Sequence, residues 1–176
     1  METTGAAYLE SVKKRFRSLK ELGDKTFIQL SDTEMHFEPC TGVNSIAVII
    51  QHLVGNMHSR FTDFLTSDGE KPNRNRDEEF EEQLMPKEEL ESKWNSAWLI
   101  LFSTLESLTA SDLLKTVFVR SEEHTVLDAI NRQLLHYSYH VGQIAYIGKI
   151  IKGNDWQTLS IPKGKSDEFN KKMMGR

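Results

Sequence analysis

One long stretch with a single apolar face constrains the fold more than any other feature of the chain. Its apolar residues recur at steps of three and four: Val126, Ile130, Leu134, Tyr137, Val141 and Ile144. This spacing places them on one face of an α-helix. Thr125 and Asp128 predict a capping box at its start, and Gly153 marks its end. We therefore expect a helix that continues through Ile150.

Three earlier stretches have the same periodicity. The first covers about residues 5–30, the second begins after Ser45 or Asn44 and reaches about Thr66, and the third covers about residues 86–107, with Pro86 in its first turn. Together with the last helix they predict an all-α fold. The architecture expected is a four-helix bundle with a long crossover between helices two and three.

Two connecting segments do not follow the helical periodicity. Residues 67–85 are acidic and turn-rich, which is typical of a solvated loop or helix face. Leu114–Arg120 alternates like a short strand, although no partner strand is evident. Residues 154–176 are polar, and we expect them to form a tail held against the bundle by a few apolar residues.

Length and charge limit the kinds of partner. The 176 residues, 38% of them hydrophobic, suffice for one domain spanning 1–176 but not for two. A net charge of −4 argues against nucleic acid and anionic membrane surfaces. The sequence has no apolar run typical of a signal peptide or a membrane span, and its single cysteine, Cys40, fits a reducing compartment. We expect a soluble cytoplasmic protein that binds a small molecule.

The histidines of the last helix predict a metal site. His136 and His140 are four residues apart on the flank of the apolar face, so their imidazoles can bind one ion together. A third ligand must come from elsewhere. The second helix offers His52 on one flank and His58 on the other, and periodicity does not select between them.

The same residues allow other interpretations. Two histidines at this spacing also occur by chance and then bond only to backbone carbonyls. The zinc-protease pattern lacks its glutamate, because Tyr137 follows His136, and the di-iron pattern has Gln133 in place of its carboxylate. Cys40 has no partner that would activate it as a nucleophile, so an inert loop thiol is the better interpretation.

Several short motifs, taken in order, resemble a known superfamily. Gln51-His52-Leu53, the segment from His136 to Ile144, and the closing segment from Leu159 to Ser166 are similar to those of the DinB/YfiT-like proteins, in particular a bacterial subfamily of unknown function. The resemblance covers nearly the whole chain. It implies a DinB-like four-helix bundle, often a homodimer, in which His52, His136 and His140 bind a divalent metal.

The resemblance also implies a type of chemistry. Several relatives use the metal in reactions of low-molecular-weight thiols, as transferases or isomerases, and an open position on a three-histidine metal can bind and deprotonate a thiol. Zinc or nickel would suit the three nitrogens best, and iron or manganese could also bind. Asn56 and Gln143 would orient a ligand or the imidazoles.

Three hypotheses follow from these residues. The first is a metal-dependent enzyme that joins a small thiol to an electrophile, the second is a non-catalytic metal-binding protein, and the third is a helical interaction module whose histidines are incidental. A homodimer is a further expectation, with Val48, Trp98 and Leu99 supplying an outer apolar patch.

Overall fold

The computed structural model describes residues 3–175, which are mostly helical, as the sequence predicts. The α-helices are α1 (Thr4–Phe27), α2 (Asp32–Met35), α3 (Ile46–Phe61), α4 (Lys87–Ser107), α5 (Val126–Lys152) and α6 (Ser166–Met174). One antiparallel pair of strands, β1 (Thr116–Val119) and β2 (Glu122–Thr125), lies between α4 and α5. Single 3-10 turns occur at Glu78–Phe80, Ala110–Asp112 and Gly153–Asp155.

The ends of the helices are fixed by the residues that the sequence marks. The Ser45 hydroxyl accepts a hydrogen bond from the Val48 amide at the start of α3, and Thr125 does the same for Asp128 at the start of α5. Gly153, with φ of 52°, ends α5. Helix α3 stops at Phe61, earlier than predicted, because Asp63 turns the chain with φ of 49°.

The four long helices form a closed ring of contacts. Helix α1 packs against α4 and α5, and α3 packs against the same two helices from the other side. The interior is rich in aromatic rings, and Trp98 contacts both Phe16 and Tyr137 edge-on at 6.3 and 6.0 Å between ring centroids. Trp94 and Trp98 are therefore core residues.

The predicted outer patch is wrong for two of its three residues. Trp98 is fully buried and Val48 is 3% exposed, whereas Leu99 is 66% exposed. Trp98 fits the core because its face of α4 points toward α1 and α5. Of these three residues, only Leu99 lies on the outer surface.

The extended segment after α4 does have a partner strand. Val117 pairs with His124 in a hairpin whose turn residues, Arg120 and Ser121, both have positive φ. The Asp68 carboxylate stabilises this turn by accepting hydrogen bonds from both of their amides, at 2.9 and 2.7 Å. The partner was missed because β2 is polar and lacks the alternation that identifies a strand.

The crossover between α3 and α4 is exposed along most of its acidic run, as its composition predicts, but part of it packs on α3. It folds back along α3, where the Glu82 carboxylate accepts a hydrogen bond from the Ser45 hydroxyl at 2.7 Å and Gln51 donates to the Glu81 carbonyl at 3.0 Å. The side chains of Arg74 and Glu79 are only 4% and 9% exposed. The crossover therefore covers the part of α3 that carries His52.

The chain after α5 first packs against the helices and then becomes exposed. Trp156 is partly buried, and Gln157 exchanges two hydrogen bonds with Gln29 at the end of α1. Helix α6 has no buried residue. None of the helices in residues 3–175 has both the length and the apolar character that a membrane crossing requires.

Candidate metal centre

Three histidines from two helices meet at one point. His52 comes from α3, and His136 and His140 come from successive turns of α5. One ring nitrogen of each lies within 4.8 Å of the other two. The Nε2 atoms of His52 and His136 are 3.2 Å apart. The three residues implied by the resemblance are thus brought together.

The geometry and protonation of the cluster fit a divalent transition metal. Two nitrogens bound at about 2.05 Å to a tetrahedral ion are about 3.3 Å apart, close to the 3.2 Å spacing of His52 and His136. Burial, helped by the nearby imidazoles, lowers the pKa of His136 to about 3, and burial lowers that of His140 to about 4. Both rings are therefore neutral near pH 7, so their lone pairs are available to an ion.

A carboxylate from the crossover orients the first of these ligands. Glu79 Oε2 lies 3.0 Å from His52 Nδ1, and both Glu79 oxygens accept hydrogen bonds from Arg74 at 2.7 Å. Burial alone would raise the pKa of Glu79, but the bonds from Arg74 and His52 outweigh it and lower the pKa. An ionised Glu79 keeps the proton of His52 on Nδ1, which leaves Nε2 as the metal-binding nitrogen.

The neighbouring ring of Phe80 completes the environment of His52. The two rings are stacked, with centroids 4.6 Å apart and an interplanar angle of 28°. The Arg76 guanidinium also lies 5.0 Å from the centre of the Phe80 ring. The 3-10 turn that carries Glu79 and Phe80 therefore holds His52 both by a hydrogen bond and by packing.

The two polar residues predicted beside the site have different contacts. Gln143 Oε1 lies 2.8 Å from His140 Nδ1, which leaves Nε2 of that ring for a metal. Asn56 is buried, and its side-chain oxygen accepts a hydrogen bond from the Tyr137 hydroxyl at 3.0 Å. Asn56 thus faces the site from the core side. His58 is exposed and lines a different cavity, with Asp63 among its neighbours.

The cluster opens onto a cavity of about 630 Å³. All three histidines line it, together with Asn56, Arg60, Arg74, Arg76, Phe80, Arg120, Asp128, Asn131, Arg132, Leu135 and Tyr139. This volume lies in the range of small-molecule sites. A metal held by the histidines would therefore be accessible to a small ligand from the cavity.

Four of the residues that sequence reasoning missed lie in the crossover, namely Arg74, Arg76, Glu79 and Phe80, and three further arginines of the cavity, Arg60, Arg120 and Arg132, lie outside it. The acidic composition of the crossover concealed the first four, because charge runs are usually solvated. The one signal that could have indicated them is the mixture of arginines and an aromatic residue within that run. Neither composition nor periodicity indicates which of its glutamates turns inward.

Comparison with known proteins adds a family. Residues 3–165 match the model of the family described as "Protein of unknown function (DUF1572)". No curated protein matches the sequence. The three clustered histidines could hold a divalent metal, in keeping with the DinB-like character of that family. Because the match covers nearly the whole chain, the protein belongs to the DUF1572 family, a DinB-like family.

Proposed function

We propose that this protein is a divalent-metal-dependent enzyme that joins a low-molecular-weight thiol to an electrophilic small molecule. The observation that carries the proposal is the position of three imidazoles at the edge of a cavity large enough for both reactants. The ring of contacts among the four long helices supports the further proposal that the fold is the DinB-like four-helix bundle.

His52, His136 and His140 would hold the ion, which we expect to be zinc or nickel, with iron or manganese as alternatives. When bound, such an ion would act as a Lewis acid that lowers the pKa of a thiol. Three protein ligands are typical of catalytic rather than structural sites, because a position remains open. The neutral ligands leave the charge of the ion uncompensated, which favours an anionic sulfur.

The protein groups around the cavity provide orientation more than proton transfer. Asp128 is the single carboxylate among the described lining residues, and it already bonds to His124 at 2.7 Å. Glu79 accepts from His52 and Arg74 and cannot reach a reactant without losing them. A metal-activated thiol needs no further base, so the absence of one among these lining residues agrees with the proposal.

The test is a transfer assay with a defined pair of reactants. Cysteine, glutathione and coenzyme A are supplied in turn with 1-chloro-2,4-dinitrobenzene to the zinc-loaded protein. In this reaction a sulfur–carbon bond forms, chloride leaves and the thiol proton passes to solvent. We expect turnover with at least one thiol that is lost in His136→Ala. The cobalt-substituted protein should also change its visible spectrum when that thiol is added.

A stoichiometric metal, together with a cobalt-substituted protein whose spectrum no thiol alters, would instead favour the non-catalytic metal-binding function.

We also propose a homodimer and a cytoplasmic location. Tyr146 and Ile150, one turn apart on α5, are exposed apolar residues that a second copy could cover, and Leu99 is exposed separately on α4. A single monomeric species in sedimentation velocity at micromolar concentration would contradict the dimer, and cell fractionation tests the location.

A further inference from the structure

The cavity beside the histidines is strongly cationic in a protein that is acidic overall. Five arginines line it, namely Arg60, Arg74, Arg76, Arg120 and Arg132, against the single carboxylate of Asp128. The whole chain has a net charge of −4. Positive charge is thus concentrated where a ligand would enter. Such a concentration of one sign in a cleft attracts and holds ligands of the opposite sign.

Internal ion pairs use only part of this charge. Arg74 is held by Glu79, while Arg60 and Arg120 share Glu70 at 3.0 and 3.1 Å. Within residues 3–175, Arg76 and Arg132 form no ion pair with a carboxylate. The cationic charge of these two side chains is available to a ligand.

Arg60 is held by partners inside the protein. It is 4% exposed, and its guanidinium donates to the Gly69 carbonyl and to Glu70. Its Nε is buried and has no hydrogen-bond partner among the described residues. Because this atom is itself out of reach of the cavity, Arg60 contributes positive charge to the cavity rather than a direct contact with a ligand.

The cavity also has an apolar side. Phe80, Leu135 and Tyr139 line it, and the last two are 72% and 55% exposed. Arg76 rests on the Phe80 ring, which restricts its guanidinium and lowers the entropy lost when that group binds a ligand. The arginines and the apolar residues therefore face the same space as the histidines.

We propose that this cavity binds a small-molecule oxyanion, a carboxylate or a phosphate, through Arg76 and Arg132, beside the three histidines. The inference rests on the proposed function, since it names the class of molecule taken by the same cavity. Guanidinium groups bind both oxyanions with paired N–H donors, so carboxylate and phosphate share one recognition chemistry. The reactant, whether thiol or electrophile, would carry this group at the end remote from the reacting atom.

The test measures anion binding separately from metal binding. Inorganic phosphate and succinate are titrated calorimetrically into the full chain, once after the metal has been removed with a chelator and once after zinc loading. The variants are Arg76→Gln, Arg132→Gln and the double substitution, all at exposed positions where the fold is not at risk. Arg15→Gln, on the exposed side of α1, is the matched control for loss of one positive charge.

We expect the metal-free protein to bind at least one anion, and the preferred anion to identify carboxylate or phosphate as the natural group. The double variant should bind it at least tenfold more weakly, and Arg15→Gln within twofold of the wild type. Added sodium chloride should weaken binding. No binding of either anion, or equal binding by the double variant, would overturn the inference.

The two proposals can fail separately. In the metal-free state His136→Ala should bind the anion as the wild type does. When zinc is added, this variant should take up no metal. If the wild type binds the anion but no metal, the proposed enzyme function fails and the oxyanion site remains. If the wild type binds metal but neither anion, the proposed oxyanion site fails and the proposed enzyme function remains.

Discussion

The Glu79 carboxylate lies 3.0 Å from His52 Nδ1, on the side of the ring away from His136. One residue comes from the crossover and the other from α3, so the link exists only in the folded chain. It gives the candidate metal centre a second layer, in which Glu79 is itself fixed by two hydrogen bonds from Arg74. Several expected outcomes follow from this arrangement.

Removal of a histidine from the cluster should abolish metal binding. We expect about one transition-metal ion per chain in protein purified without an affinity metal column, and none in His52→Ala or His136→Ala. Loss of one of three ligands should weaken binding by more than about 100-fold, since even outer partners contribute 10–100-fold. Elemental analysis measures the content.

His58→Ala is the matched control, because His58 is on the same helix but exposed and outside the cluster. It should retain the metal. A wild type that takes up no zinc or nickel would instead make the histidines core residues and favour the interaction-module hypothesis.

Replacement of Glu79 should weaken metal binding without abolishing it. In Glu79→Ala the His52 ring loses its acceptor and Arg74 loses its buried partner, so we expect about 10–100-fold weaker zinc binding. Competition with a chromophoric chelator gives the dissociation constant. The neighbouring Glu78 is exposed, and Glu78→Ala should leave the constant unchanged.

A glycine on α3 makes room for that carboxylate. A Cβ at Gly55 would overlap Glu79 Oε1, so Gly55→Ala should displace the Glu79 side chain and weaken zinc binding. Because alanine favours helix over glycine by about 1 kcal/mol, the fold should nevertheless persist.

Gly142 on α5 provides the comparison, since a Cβ there would meet no atom within 4 Å. Gly142→Ala should stabilise the protein by up to about 1 kcal/mol with zinc affinity unchanged. Chemical denaturation and the chelator assay together separate the two effects. Equal zinc affinities in both variants would show that Glu79 need not occupy its observed position.

His36 should make the anchoring of the crossover depend on pH. Its Nδ1 lies 2.5 Å from Glu82 Oε1 and its Nε2 lies 2.8 Å from the Met85 carbonyl. Burial opposes the charged ring, but these two acceptors outweigh it and raise the pKa of His36. Its stabilising contribution is therefore complete below the unfolded pKa of about 6.5 and is lost as pH rises through the higher folded value.

Urea denaturation of the wild type and of His36→Gln checks this expectation. The wild type should exceed the variant in free energy of unfolding by a larger amount at about pH 6 than at about pH 9. A difference that is constant with pH would mean that the pKa of His36 is the same in the folded and unfolded states.

The sequence predicts the helices well because their signals are local. The caps at Ser45 and Thr125 and the apolar face of α5 lie within a few turns of the residues they control. The histidine pair at 136 and 140 is likewise fixed by helical spacing. Selection of His52 over His58 needed the family resemblance, since both flank the same face of α3.

What the sequence does not reveal depends on contacts between distant segments. Glu79 packs inward and Glu82 bonds to neighbouring segments because His52, His36 and Ser45 supply donors that exist only after folding. Glu78 and Glu81 have the same local composition and remain exposed. Strand β2 is polar, and its pairing with β1 depends on a turn held by Asp68.

The crossover supplies Arg74, Arg76, Glu79 and Phe80 within seven consecutive residues, while the three clustered histidines belong to packed helices. Substitutions in this short segment can alter ligand preference and metal affinity without disturbing the hydrophobic core. Exchange of this one loop would therefore change what the cavity can bind, while the three histidines would stay in place on their helices.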